Sequence, residues 1–150
     1  MSGRRFRWTS VCCSLYVMAQ ATGTFEVKLV PMTPEGIGGD PLMGRMSLDK
    51  QFHGDLEATS KGEMLAARTS VKGSAGYVAI ERVTGMLHGK NGSFVLQHTG
   101  IMTKGAPQLS VIVVPDSGAE ELTGLYGRMT IDIVAGQHSY TFDYTLTEAA

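Results

Sequence analysis

A chain of 150 residues, 43% hydrophobic and 18% charged, has the size and composition of one globular domain with a single core, which excludes a disordered tail. Its 19 glycines fall between apolar runs without a period, which excludes a collagen-like or linker sequence. The net charge is −1, but Arg4, Arg5 and Arg7 supply three of the 13 basic residues, so the remainder sets 10 against 14 acids, a balance of −4. A mildly acidic body lacks the electrostatic footprint that nucleic acid requires, because that affinity comes largely from neutralised phosphates.

The first twenty residues have two readings. Arg4, Arg5 and Arg7 before the run Trp8–Met18 resemble the basic and apolar regions of a signal peptide, and Ala19-Gln20-Ala21 fits a small-x-small cleavage site. That places the protein outside the cytoplasm. Thr9, Ser10, Cys12, Cys13 and Ser14 weaken the apolar run, however, and it falls short of the ~20 residues that span a bilayer. The second reading takes Met18 as the start, with the preceding residues a gene-start artefact and the protein cytoplasmic. It is preferred, because a patterned domain begins directly after Met18. The only cysteines, Cys12 and Cys13, are adjacent and outside the domain, so neither disulfides nor thiolate chemistry is expected within it.

From Ala21 to Thr147 apolar segments alternate with turn signals. Thr24–Val30 opens the series, and Pro31–Pro41, rich in Gly and Pro, is one long loop. Arg45–Thr59, Glu63–Ser70 and Tyr77–Val83 follow, set apart by Ser60-Lys61-Gly62-Glu63 and Lys72–Gly76. Lys90-Asn91-Gly92-Ser93 carries the strongest turn signal, since Asn-Gly accepts the positive φ of a tight hairpin. Phe94–Thr99, the Thr103–Ala106 turn, Leu109–Val114 and the Asp116-Ser117-Gly118 turn come next. Leu122–Val134, the Ala135-Gly136-Gln137 turn and His138–Thr145 close the domain. Within these segments side chains alternate with period 2, whereas Leu109–Val114 is nearly continuous, as in a strand covered on both faces. No segment has a helical period. About eight hairpin-linked strands form either a sandwich or an up-and-down barrel, and closure removes the exposed edges that long apolar strands present. The fold expected is all-β: a single eight-stranded antiparallel β-barrel with short hairpin loops.

Several runs also carry a family resemblance. Ala21–Val27, Met46–Lys50 with Phe52–Glu57, Gly73–Glu81, Gly92–His98, Gln108–Val111, the Val114–Gly118 turn and His138–Tyr140 resemble a bacterial family described as a domain of unknown function, number 3224. The resemblance covers residues 21–147. It implies a relative of the allene oxide cyclase-like barrels, which include isomerases and cyclases acting on hydrophobic small molecules. It carries over no catalytic residue. The extension before Met18 departs from the family's usual beginning, in keeping with the gene-start reading.

Familiar motifs fail. Gly36-Ile-Gly-Gly-Asp-Pro41 ends in Pro where a dinucleotide fingerprint needs Gly, and Gly85–Lys90 is one residue short of a phosphate loop. Ser74 lacks the spacing of a nucleophile elbow, and Asn91-Gly92-Ser93 reads as a turn rather than a glycosylated sequon. His53, His88, His98 and His138 show no i, i+2 or i, i+4 pairing, so no metal site and no cofactor is expected. His88 is expected to be an exposed residue flanking a turn.

The candidate chemistry lies mid-strand. Glu81 shares a face with Tyr77, and His98 shares one with Phe94 and Leu96. In a barrel interior, burial raises a Glu pKa toward general acid–base use, and a nearby Tyr hydroxyl polarises a carbonyl. Glu81, His98 and Tyr77 are therefore the candidate catalytic set; His53, Glu57, Gln97 and Tyr140 are the candidate ligand-binding set. The ordinary readings stand beside these: Asp55 and Glu57 face water, Glu81 pairs with a cross-strand Lys, and His98 is a satisfied core histidine. Tyr140, Phe142 and Tyr144 are first of all packing residues, and Met64, Met86, Met102 and Met129 are expected in the core rather than around a ligand. Two functions follow. One is a barrel that binds a hydrophobic small molecule and works as an isomerase or cyclase; the other is a filled, non-enzymatic barrel that self-associates. Neither involves nucleic acid or a membrane, and a homo-oligomer fits both.

Overall fold

The structure is a computed structural model and describes residues 16–147. Arg4, Arg5, Arg7, Cys12 and Cys13, on which the readings of the N-terminal extension rest, lie outside the described residues. The strands are β1 (Tyr16–Pro31), β2 (Met43–Gly54), β3 (Leu56–Arg68), β4 (Ala75–Leu87), β5 (Lys90–Thr103), β6 (Ala106–Val113), β7 (Ala119–Glu120), β8 (Tyr126–Val134) and β9 (Gln137–Thr147). The described residues contain no helix.

Strand order is β4-β3-β2-β1-β9-β8-β6-β5, and β4 pairs with β5, so eight antiparallel strands close on themselves. The two-residue strand β7 adds to β5 at Gly92 and Ser93. Closure settles barrel against sandwich. It is made by β1, which pairs with β2 through Gly23–Pro31 and with β9 through Tyr16–Phe25. Residues Tyr16–Gln20 thus belong to the first strand.

Three connections are two-residue hairpin turns with both residues at positive φ: His88-Gly89 (46° and 78°), Lys104-Gly105 (48° and 89°) and Ala135-Gly136 (51° and 80°). This is the mirror-image turn whose twist matches that of the flanking strands. Two of the three fall where the turn signals put them. The third does not: Asn91-Gly92 lies inside β5, opposite Met86 and Gly85. Gly92 serves close approach instead, since a Cβ there would sit 2.3 Å from the Ala119 carbonyl oxygen of β7.

The expected turn at Ser60–Glu63 is likewise mid-strand in β3, and the run Arg45–Thr59 breaks at Asp55. Gly62 faces Glu81 across the β3–β4 ladder, where a Cβ would lie 2.0 Å from the Ile80 carbonyl oxygen. Both misplaced turns arise from glycines that let strands crowd together, a use that local sequence does not separate from turn formation. Leu122–Val134 also divides, with β8 starting only at Tyr126.

The barrel is filled at one end and open at the other. Phe52, Leu56, Leu87, Phe94, Leu96 and Phe142 pack inside, and the β6–β8 connection folds Leu122 and Leu125 into the same cluster as a plug. Each such side chain contributes about 1.5–3 kcal/mol by burial. Leu109–Val114 is covered on one face only: Val111 and Val113 point inward, whereas Ile112 on the other face is partly exposed. Of the four methionines expected in the core, Met129 is buried, while Met86 and Met102 are exposed.

Candidate functional site

Among the described residues four polar or charged side chains are buried: Lys50, Ser60, Glu81 and His98. They form one cluster. Period-2 alternation sends each inward, and the ladders bring them level. Lys50 stands opposite Ser60 across β2 and β3, Gly62 opposite Glu81 across β3 and β4, and Ala79 opposite His98 across β4 and β5.

The Glu81 carboxylate is the centre. Its Oε1 accepts from Lys50 Nζ at 3.0 Å and lies 3.1 Å from His98 Nε2, and its Oε2 accepts from Ser60 Oγ at 3.1 Å. Lys50 Nζ also lies 4.8 Å from the Phe25 ring centroid and 5.7 Å from that of Phe52, in range of cation–π attraction.

Electrostatics correct one expectation. Burial pushes the Glu81 pKa up, but the hydrogen bond from His98 and the charge of Lys50 outweigh it, and the net shift is below the usual value of 4.5. Glu81 is an ionised anchor with both oxygens engaged. Burial lowers the Lys50 pKa, and the attraction of Glu81 offsets this only in part. Burial raises the Tyr77 phenol, and the Glu81 charge adds to it.

Above the cluster the barrel opens into a cup of about 300 Å³. Every one of the eight barrel strands supplies wall: Phe25, Val27 and Leu29 from β1, Leu48 and Lys50 from β2, Met64 from β3, Tyr77 from β4, His98 from β5, Leu109 from β6, Ile131 and Ile133 from β8, and His138 from β9. Ile133 at the rim is 63% exposed, whereas the side chains of Lys50 and His98 are 4% and 3% exposed, which places these two at the base. Tyr77 is set over the backbone of its cross-strand partner Gly100, where a Cβ would sit 2.2 Å from the Tyr ring. His138 lies 5.0 Å from Phe25, ring centroid to ring centroid.

Of the candidate catalytic residues, Tyr77 and His98 line the cup, and Glu81 stands behind His98. The candidate ligand-binding residues lie elsewhere. His53 is on the outer face, 2.8 Å from Glu26 and 3.9 Å from Glu57, and the Glu57 carboxylate also accepts from the Gly54 N–H. Gln97 is exposed on the outside of β5. Tyr140 is inside, but its hydroxyl accepts from Leu56 N–H and donates to the His53 carbonyl oxygen, both at 3.0 Å, so it pins the β2–β3 hairpin.

Lys50 is the base residue that pattern reading missed. Its only sequence signal is its parity with Leu48 and Phe52, which turns a lysine inward. His88 sits in its turn with Nδ1 hydrogen-bonded to Tyr144 Oη and Nε2 3.6 Å from Asp55, a clasp across the plugged end. The described residues hold no group of three or more His, Cys, Asp or Glu arranged for a metal ion. A second depression of about 410 Å³, between the Pro31–Met43 loop and Arg45 and Arg68, has no buried titratable group facing it.

Residues 21–144 match the family model described as protein of unknown function (DUF3224). A crystal structure of a protein of unknown function from the DUF3224 family, from Shewanella oneidensis MR-1, shares 58% identity with the chain. It aligns over 89% of this chain and 100% of its own length, with a TM-score of 0.80. No curated protein matches the chain.

Proposed function

This chain belongs to the DUF3224 family, and we propose that it binds a hydrophobic small molecule bearing one carbonyl group, held in the open cup with its polar end at the base. The observation that carries this reading is the cup itself: apolar walls drawn from all eight strands above a base of Lys50, His98 and Tyr77. A concave, mostly apolar site with a few convergent polar groups is the usual form of a ligand pocket, and about 300 Å³ is the small end of that range.

Charge selects the ligand's polar group. Lys50 is already balanced by Glu81, so the base carries no net charge from this pair and suits a neutral acceptor better than a second anion. A carbonyl oxygen there meets the donors of Lys50 and Tyr77. His98, held by Glu81, is placed to move a proton at the carbon beside it, which is the chemistry of an isomerase or cyclase.

Prodan, a neutral naphthyl ketone that brightens in apolar surroundings, tests the reading. Its emission should rise and shift to the blue with the wild-type chain. Leu29→Trp, which narrows the half-exposed rim, should weaken binding about tenfold, worth about 1.4 kcal/mol. Equal binding by both proteins, or none by a folded wild type, overturns the reading.

A second reading, self-association, rests on the outer face of β3, β4 and β5. Leu65 and Val78, which are cross-strand partners, lie with Ile80 and Ile101 as a half-exposed apolar patch. At its edge Arg45 and Glu63 form an exposed pair at 2.6 Å, opposite charges that a two-fold partner presents in return. A second copy of this chain is therefore the occupant. Light scattering of the wild type should give a dimer and of Val78→Lys a monomer. A monomeric wild type at high concentration sinks the idea.

A further inference from the structure

We propose that Lys50 forms an imine with aldehyde ligands at the base of the cup; this deepens the proposed function and rests on that reading.

The geometry combines four features that imine chemistry needs. The amine is buried at the base of an apolar cup, so a ligand's polar end meets it. A carboxylate oxygen 3.0 Å away takes its proton and later balances the iminium charge. His98 shares that oxygen at 3.1 Å, which gives the proton a second carrier. The rings of Phe25 and Phe52, with centroids 4.8 and 5.7 Å from Nζ, suit a cationic nitrogen before and after reaction. Desolvation also favours the free amine, the nucleophilic form.

The step balances. The Lys50 ammonium passes one proton to Glu81 Oε1. The free amine attacks the aldehyde carbon, the C=O π pair moves to oxygen, and a proton moves from nitrogen to that oxygen, giving a neutral carbinolamine. The proton held on Glu81 then reaches the hydroxyl by way of His98. Water leaves with the C–O pair while the nitrogen lone pair forms the C=N bond. In sum one ammonium and one aldehyde give one iminium and one water, and Glu81 is a carboxylate at both ends. No oxidant or reductant is consumed.

Trapping tests this on the full chain. With n-octanal and sodium cyanoborohydride, reduction fixes any imine as an octyl-amine, which intact-mass analysis counts and peptide mapping locates. Lys50 should label at least about tenfold faster than Lys28, Lys61, Lys72, Lys90 and Lys104, because local placement of the aldehyde replaces random encounter. His98→Gln should slow labelling of Lys50 and leave labelling of the five exposed lysines unchanged. Lys50 labelling no faster than the other lysines overturns the proposal. If n-octanol, which forms no imine, displaces prodan in that case, the cup reading stands and imine formation alone fails. If prodan does not bind and Lys50 is unlabelled, both fail.

Discussion

Glu81→Gln should destabilise the protein by about 3–5 kcal/mol, the usual cost of leaving one member of a buried ion pair without its partner. Glu81 is 0% exposed, and its removal leaves the Lys50 ammonium, which stands over two phenylalanine rings, without its counter-charge. The cost therefore belongs to Lys50, which makes the effect reversible. Adding Lys50→Met should recover most of the loss, since an apolar replacement of both charges is often neutral or stabilising. Urea denaturation of the wild type, the single variant and the double variant measures this. If the double variant is as unstable as Glu81→Gln, the carboxylate is needed for its bonds to Ser60 and His98 rather than as a counter-charge.

The same pair sets an acid limb. The Glu81 pKa is lower in the folded protein than its ordinary value of 4.5, so the unfolded chain binds its proton more readily. Its stabilisation is present above pH 4.5 and is lost as pH falls through the lower, folded value. Glu81→Gln should flatten stability over that interval, and a slope equal to that of the wild type would assign the limb to other carboxylates.

Tyr140→Phe should cost about 1–3 kcal/mol, through a different mechanism. The phenol spans one turn, accepting from Leu56 N–H and donating to the His53 carbonyl, and phenylalanine leaves both backbone groups without it. Leu56 is fully buried, so its amide has no water to turn to. The damage should be local first: exchange of the Leu56 amide with solvent deuterium should speed up more than exchange at Leu96 or Val111, in the strands remote from that turn. Uniform acceleration across the barrel would show that the hydroxyl holds the whole fold rather than the hairpin.

The parts of this structure that obey local rules were legible. Alternation in Phe94–His98 and Tyr77–Val83 set Glu81 on one face with Tyr77 and His98 on one face with Phe94 and Leu96, and the structure turns both faces inward. The Lys104-Gly105 and Ala135-Gly136 turns followed from backbone chemistry alone. What failed depends on where strands cross. Gly62 and Gly92 look like turn residues but serve interstrand crowding, which is known only once the partner strand is placed. Asp55 ends a strand because its carboxylate accepts from Thr22 N–H at 2.9 Å, a contact 33 residues away in sequence. The inward lysine was hidden for a related reason: a charged residue at an interior position is read as an error in register until its counter-charge, 31 residues on, is brought alongside. His53 and Glu57 share a face, as the pattern indicates, but it is the outer one.

The pairing of β1 with β9 has a practical side. Tyr16 lies across from Thr147, and both stand at the plugged end, so the chain enters and leaves the barrel away from the rim formed by Leu29, Leu109 and Ile133. A handle joined beyond either of these residues pulls from the base of the vessel, and the protein can be tethered to a sensor surface by one side while its mouth faces the solution.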